Sequence, residues 1–214
     1  MGIIDFIIHI DVHLGELIAQ YGSVTYGILF AIIFAETGLV FTPFLPGDSL
    51  LFAAGMFAAN GSFDPLFLAG LLMVATLSGD NVNYWVGRYF GQKIVNNKVI
   101  PIKQAHIDKT QAFMDRYGGK TIFLARFMPI VRTFAPFVAG TGKMEYRKFL
   151  LFSIAGCVTW VCGFVFTGYF FGNIPVVHDN FSLVVMGIIV LSVTPALFEF
   201  VKNMIKKYRT KTTS

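Results

Sequence analysis

Charge is what this sequence has least of: 14% of its residues are Asp, Glu, Lys or Arg, against about a quarter in an ordinary soluble domain. The shortage is uneven. Residues 1–87 hold no lysine or arginine at all, and their charges are Asp5, Asp11, Glu16, Glu36, Asp48, Asp64 and Asp80. The general shortage argues against water as the solvent of the fold. The local one excludes a secretory leader, which needs a basic start, so the first segment is expected to stay in the mature chain. Cysteine is scarce too. Cys157 and Cys162 stand five apart in one apolar run, roughly 140° apart around a helix, which excludes a bond between them and leaves both as apolar filler.

What is present is apolar: 55% of the residues are hydrophobic. Several runs reach the ~20 residues that a helix needs to cross ~30 Å of hydrocarbon. The expectation is an all-α integral membrane protein, residues 1–214 forming one membrane domain. The net charge is +5, and the bases cluster at 88–120, at Lys143, Arg147 and Lys148, and from Lys202 to Lys211. Short basic segments stay on the cytoplasmic side, so these three regions are placed there.

Along the chain, residues 1–20 carry Asp5, His9, His13, Glu16 and Gln20 at helical spacing among apolar residues, which predicts an amphipathic helix lying on the interface. Residues 23–59 are broken in the middle by Pro43, Pro46 and Gly47. The arms on either side of the break are too short to span. They predict a re-entrant hairpin, whose ends lack bases and belong outside. Residues 66–86 predict a transmembrane helix and 88–120 a polar cytoplasmic segment. Residues 121–142, interrupted by Pro129 and Pro136 and flanked by bases, predict a second hairpin entering from the cytoplasm. Residues 149–171 and 181–201 predict two further transmembrane helices, and 202–214 a basic cytoplasmic tail. Two broken hairpins from opposite faces are the pattern from which secondary transporters build a midplane site.

Glu36, Asp48, Arg126 and Arg132 all stand at or near the predicted breaks, and an ionisable residue inside a bilayer is functional or paired by default. If the tips meet, two carboxylates face two guanidiniums. The plainer reading is a structural salt-bridge cluster locking the tips, although buried pairs are weak stabilisers. The sharper one is a phosphate site, because a guanidinium fork and freed backbone N–H groups suit phosphate oxygens. Asp80 is a secondary candidate, either a pathway residue or a polar anchor near a helix end that reaches water. His9, His13 and Glu16 share one helical face and have metal-like spacing, but the wet face of an interfacial helix explains them better. No metal and no cofactor are expected.

The stretch from Glu36 through Pro43, Pro46 and Gly47 to Asp48 resembles the signature of the DedA family, a Glu followed by a Phe-x-Pro-Gly-Asp-type turn. The stretch Arg126, Phe127, Met128, Pro129 to Arg132 and Pro136, followed by Ala139 and Gly140, is similar to that family's arginine motif. Gly79, Asp80, Tyr84, Gly87 and Arg88 resemble a third block. The resemblance runs over almost the whole chain. It implies a bacterial inner-membrane protein of the DedA/VTT (SNARE-associated) superfamily, linked to recycling of undecaprenyl phosphate and to membrane homeostasis, with relatives that resemble lipid scramblases. Its implied functional residues are Glu36, Asp48, Arg126 and Arg132.

The leading expectation is a carrier that flips undecaprenyl phosphate or a related anionic lipid, with Arg126 and Arg132 binding the head group and Glu36 and Asp48 gating or coupling to protons. A proton or ion antiporter, a general scramblase and a non-transport envelope assembly factor are the alternatives. An enzyme is not expected: a lipid phosphatase needs a nucleophile and an acid or base in the site, and the four histidines, at 9, 13, 106 and 178, fall outside both hairpins. Membrane lipids, foremost a polyprenyl phosphate, are the expected partners, nucleic acid is not, and a homodimer is left open.

Overall fold

The computed structural model describes residues 10–38, 47–95, 111–112 and 114–174, and all regular structure among them is helical. The helices are α1 (Ile10–Tyr21), α2 (Val24–Gly38), α3 (Gly47–Ala59), α4 (Pro65–Val95), α5 (Lys120–Ala125), α6 (Pro129–Thr141) and α7 (Tyr146–Gly172). Two of them, over Pro65–Gly91 and Tyr146–Gly172, are long and apolar enough to cross a membrane. At 1.5 Å per residue each rises about 40 Å, beyond the ~30 Å of hydrocarbon.

Their polarity is turned outward-in. Val74, Val82, Leu151, Ile154 and Val158 are exposed on α4 and α7, while Thr76, Asp80, Asn83 and Ser153 of the same two helices are buried. In water that arrangement would leave the apolar faces uncovered and desolvate the polar groups. In lipid it is favourable. The chain is an all-α membrane protein.

The helices form two corresponding units, α2–α3–α4 and α5–α6–α7. Glycine shows it best. A methyl on Gly55 (α3) would come within 2.1 Å of the Val165 carbonyl oxygen (α7), and one on Gly140 (α6) within 2.0 Å of the Tyr84 carbonyl oxygen (α4). The return contacts match: Gly168 against the Phe52 carbonyl and Gly87 against the Phe137 carbonyl, both at 2.1 Å. Gly172 meets Met56 where Gly91 meets Thr141. One constant shift in numbering carries α4 onto α7 in all of these, and another carries α3 onto α6. Each second arm thus packs backbone to backbone on the long helix of the other unit, as small residues permit in lipid. The turns correspond as well: α3 ends with the Ser62 N–H on the Phe57 carbonyl and Gly61 at φ 79°, α6 with the Met144 N–H on the Ala139 carbonyl and Lys143 at φ 54°. Both are Schellman caps.

Two apolar clusters result. One gathers Leu14, Leu29, Ile33, Leu51, Met56, Leu72 and Trp160 among others, and the other gathers Tyr84, Ile122, Val131, Ala135 and Phe149. Along α4 and along α7 the polar residues Asp80 and Ser153 fall where one cluster gives way to the other.

Several expected boundaries shift. The helix expected over 66–86 runs from Pro65 to Val95, into the segment read as polar. Asp64 starts it, accepting the Phe67 N–H at 2.7 Å, with Pro65 in the first turn where its missing N–H costs nothing. The break in 121–142 is confined to Arg126–Met128. Three short-range bonds tighten the end of α5, Met128 is extended, and Pro129 opens α6. Pro136 does not break the chain as expected. It lies buried inside α6, where it removes only the N–H that would bond the Arg132 carbonyl, and close packing on α4 holds the helix through it. Gly47 opens α3, whereas Pro43 and Pro46 lie outside the described residues. So do residues 1–9 of the expected interfacial helix, the expected helix over 181–201 and the tail over 202–214.

Candidate functional site

The end of α2 is pressed onto the middle of α4. A methyl on Gly79 would strike the Thr37 side chain and the Gly38 nitrogen, and the Asn83 amide donates to the Thr37 carbonyl. This contact brings Glu36, on α2, into the same buried layer as Asp80, on α4. The start of α3 closes over Glu36 so tightly that any side chain at Gly47 would overlap its carboxylate. A side chain there would have to displace the Glu36 carboxylate from its place beside Arg132.

Arg132, in the second turn of α6, reaches across to that layer. Its Nη2 donates to Glu36 Oε1 and its Nη1 to Asp48 Oδ1 at 2.6 Å. One guanidinium therefore takes a carboxylate from the end of α2 and one from the start of α3, the helices on either side of residues 39–46, which lie outside the described residues. Glu36 is 2% exposed, Arg132 9% and Asp48 17%. The second Glu36 oxygen, Oε2, is buried with no hydrogen-bond partner among the described residues.

Arg126 does not join the acids of that set, contrary to the arrangement of two carboxylates facing two guanidiniums. It ends α5 and turns to Asp80, donating through both terminal nitrogens to both carboxylate oxygens. Asp80 also accepts from Ser153 Oγ at 2.5 Å. Nor is Asp80 an anchor reaching water: it is 1% exposed, because it lies in the middle of a helix that continues to Val95. His13 pairs with Glu16 at 3.5 Å on α1, and His9 lies outside the described residues.

Trp160 of α7 joins the two sets. The centre of the Arg132 guanidinium lies 5.1 Å from its ring and that of Arg126 5.7 Å, and its Nε1–H donates to Asp48 Oδ1 at 2.9 Å. With all five ionised, three carboxylates oppose two guanidiniums. In that state the described residues of the layer would carry one negative charge in excess.

The VTT domain family matches residues 45–170. Protein DedA of Escherichia coli (strain K12) is 52% identical over 204 residues, covering 94% of this chain and 93% of the relative. The chain belongs to the DedA family. An uncharacterized membrane protein of Mycobacterium leprae (strain TN) is 41% identical, covering 78% of this chain and 75% of its own, and Inner membrane protein YghB of Escherichia coli (strain K12) is 32% identical, covering 80% and 78%. No solved structure matches. Asp48, Asp80, Arg126, Arg132, Ser153 and Trp160 of this DedA-family protein all fall inside the matched domain, and Glu36 precedes it. Ser153 and Trp160 escape a reading of charge and helix breaks. Their one signal is spacing: seven apart in an apolar span, they share a helical face, and that face turns inward.

Proposed function

We propose that this DedA-family protein is a transporter that carries polyprenyl phosphate, or a related anionic lipid, between the leaflets of the bacterial inner membrane. The observation behind it is the Arg132 fork, buried and occupied by two carboxylates that belong to the other unit. A phosphate offers the same pair of oxygens to a guanidinium, so binding is an exchange in which phosphate takes the fork and Glu36 and Asp48 let go. Three anionic groups cannot crowd one guanidinium in a low dielectric. The exchange is therefore accompanied by protonation of Glu36 or Asp48, or by their withdrawal, which makes the two carboxylates the gate. The prenyl chain stays in lipid against exposed apolar faces such as Leu151, Ile154 and Val158. In this reading the breaks on either side of Gly47 and of Pro129 are the tips of re-entrant hairpins from opposite faces, and the basic tail is cytoplasmic. No bond is made or broken.

A second reading, a proton or cation antiporter without a lipid substrate, is favoured by the excess negative charge and by the unpartnered Glu36 oxygen. The two separate in one experiment: transfer of labelled undecaprenyl phosphate between leaflets of vesicles holding the purified protein, with proton flux followed in parallel. Transfer by the wild type, lost in an inserted and folded Arg132→Lys variant, upholds the carrier. Proton flux with no lipid transfer upholds the antiporter. Neither flux from well-inserted protein leaves an assembly factor, which tolerates Arg132→Lys.

A further inference from the structure

We propose that Trp160 is a positioning residue that couples the two ion-pair sets, so that release of Arg132 by its carboxylates is felt at Arg126 and Asp80. The inference rests on the reading of Arg132 as the phosphate ligand, and it adds a residue and a route. Trp160 is fully buried, at 1% exposure. Its indole serves both guanidiniums, at 5.1 and 5.7 Å, and a desolvated cation over a tryptophan face is held more strongly than one at a surface. Its N–H fixes Asp48 on the same oxygen that receives Arg132. Asp48 cannot leave Arg132 without also stretching its bond to the indole, and Arg132 cannot move toward a new anion without changing its place over the ring. Arg126 shares that ring and is anchored to Asp80, itself held by Ser153 two helical turns before Trp160 on α7.

Direct contact between the two arginines is not needed for this. Groups joined through one shared side chain are coupled beyond what their charges exert on each other through space. Trp160 therefore predicts that the pair Asp80 and Arg126, which takes no phosphate itself in this scheme, sets the affinity of the Arg132 site. A merely structural tryptophan would lower stability when replaced and leave the two sets energetically separate.

The test uses the full chain in lipid nanodiscs with Trp85→Phe, which leaves Trp160 as the single tryptophan. Undecaprenyl phosphate is titrated while emission is followed, and retention of the labelled lipid gives binding separately. The expected result is an emission change that saturates along the binding curve. Neutralising the distal pair together, with Asp80→Asn and Arg126→Gln, is expected to shift affinity roughly three- to tenfold when Trp160 is present and less than about twofold when Trp160→Leu is added. Trp160→Phe, which keeps a π face and loses the N–H, should retain part of the coupling and serves where the leucine variant does not fold.

Binding with a silent Trp160, or with a distal-pair effect that persists unchanged in Trp160→Leu, overturns the coupling and leaves the phosphate reading standing. Absence of binding by folded wild type overturns the phosphate reading instead. The coupling is then decided without ligand, by thermal unfolding of variants neutralised at either set or at both. Non-additive losses that become additive in Trp160→Leu or Trp160→Phe uphold it, and losses additive throughout overturn it.

Discussion

The two buried arginines of this protein lie on either side of one indole and keep opposite company. Arg126 and Asp80 are matched, one charge each, joined through both nitrogens and both oxygens, with Ser153 on the carboxylate. Arg132 is oversubscribed: it serves Glu36 and Asp48 at once, and Asp48 is the most exposed member of either set. The Arg126–Asp80 pair is balanced in charge and doubly bonded, although the Arg126 Nε is buried with no hydrogen-bond partner among the described residues. A balanced pair has less to gain from a new anion. An arginine between two competing carboxylates can exchange one anion for another at little net cost. Under the proposed exchange, the lock falls to Arg126 and the exchange to Arg132, where a count of intramembrane charges treats them alike.

Arg126→Ala breaks that comparison with the largest effect. It leaves Asp80 buried without a charge partner, with the Ser153 hydroxyl as its remaining donor among the described residues, a loss of about 3–5 kcal/mol. Replacing both members, Asp80→Asn with Arg126→Gln, should cost clearly less than either Arg126→Ala or Asp80→Ala, since no bare charge remains. Thermal unfolding in detergent or nanodiscs decides it. If the double replacement costs as much as the single ones, the pair is not a self-contained lock.

The frame that holds the sets apart is tested next. Gly55→Ala and Gly140→Ala occupy corresponding contacts, each methyl forced against a carbonyl oxygen of the opposite long helix, so each should lose about 1–3 kcal/mol and the two should be similar. Gly70→Ala and Gly163→Ala, where no atom of another described element lies within 4 Å of the new methyl, should lose nothing. Unequal costs at Gly55 and Gly140 would mean that the two units do not bear equivalent loads.

Arg132→Lys comes third. The ammonium still answers the two carboxylates as a point charge, so unfolding should shift little, whereas binding of labelled undecaprenyl phosphate should weaken about tenfold or more because the fork is gone. A variant that binds as the wild type does would remove Arg132 from the head-group site.

The membrane class, the break before Pro129 and the identity of the charges are legible in the sequence, because each is a local property: apolar run length, proline punctuation, and ionisable residues where a bilayer disfavours them. The pairing was not local. Nothing near Arg126 in the chain says that it answers Asp80 rather than Glu36; that follows from which long helix each arm packs on, fixed by Gly55, Gly87, Gly140 and Gly168. Asp80 is misplaced for a related reason: the apolar run predicts a helix ending at residue 86, whereas the helix runs through Gly91 to Val95. Pro136 predicts a break because its own effect is local, and the packing on α4 that overrides it is not. Trp160 stood hidden among aromatic residues whose usual role in such a chain is to face lipid or fill space.

The smallest effect tests the excess charge itself. Glu36→Gln keeps the shape of the side chain and an oxygen for Arg132, and it brings the buried layer to two carboxylates against two guanidiniums. The variant gives up a charge-assisted bond, worth roughly twice a neutral one. In return it removes the one negative charge that no cation in the layer balances, at a carboxylate whose second oxygen has no hydrogen-bond partner. These oppose each other, so the net change in unfolding free energy should stay within about 1 kcal/mol, against a much larger loss for the isosteric Asp80→Asn, which strands Arg126. If Glu36→Gln proves as damaging as Asp80→Asn, Glu36 is as much a lock as Asp80, and the division of labour between the two arginines fails. If the variant is stable and still binds labelled undecaprenyl phosphate but no longer moves it between leaflets, the exchange at Arg132 depends on Glu36 taking up and giving back its charge.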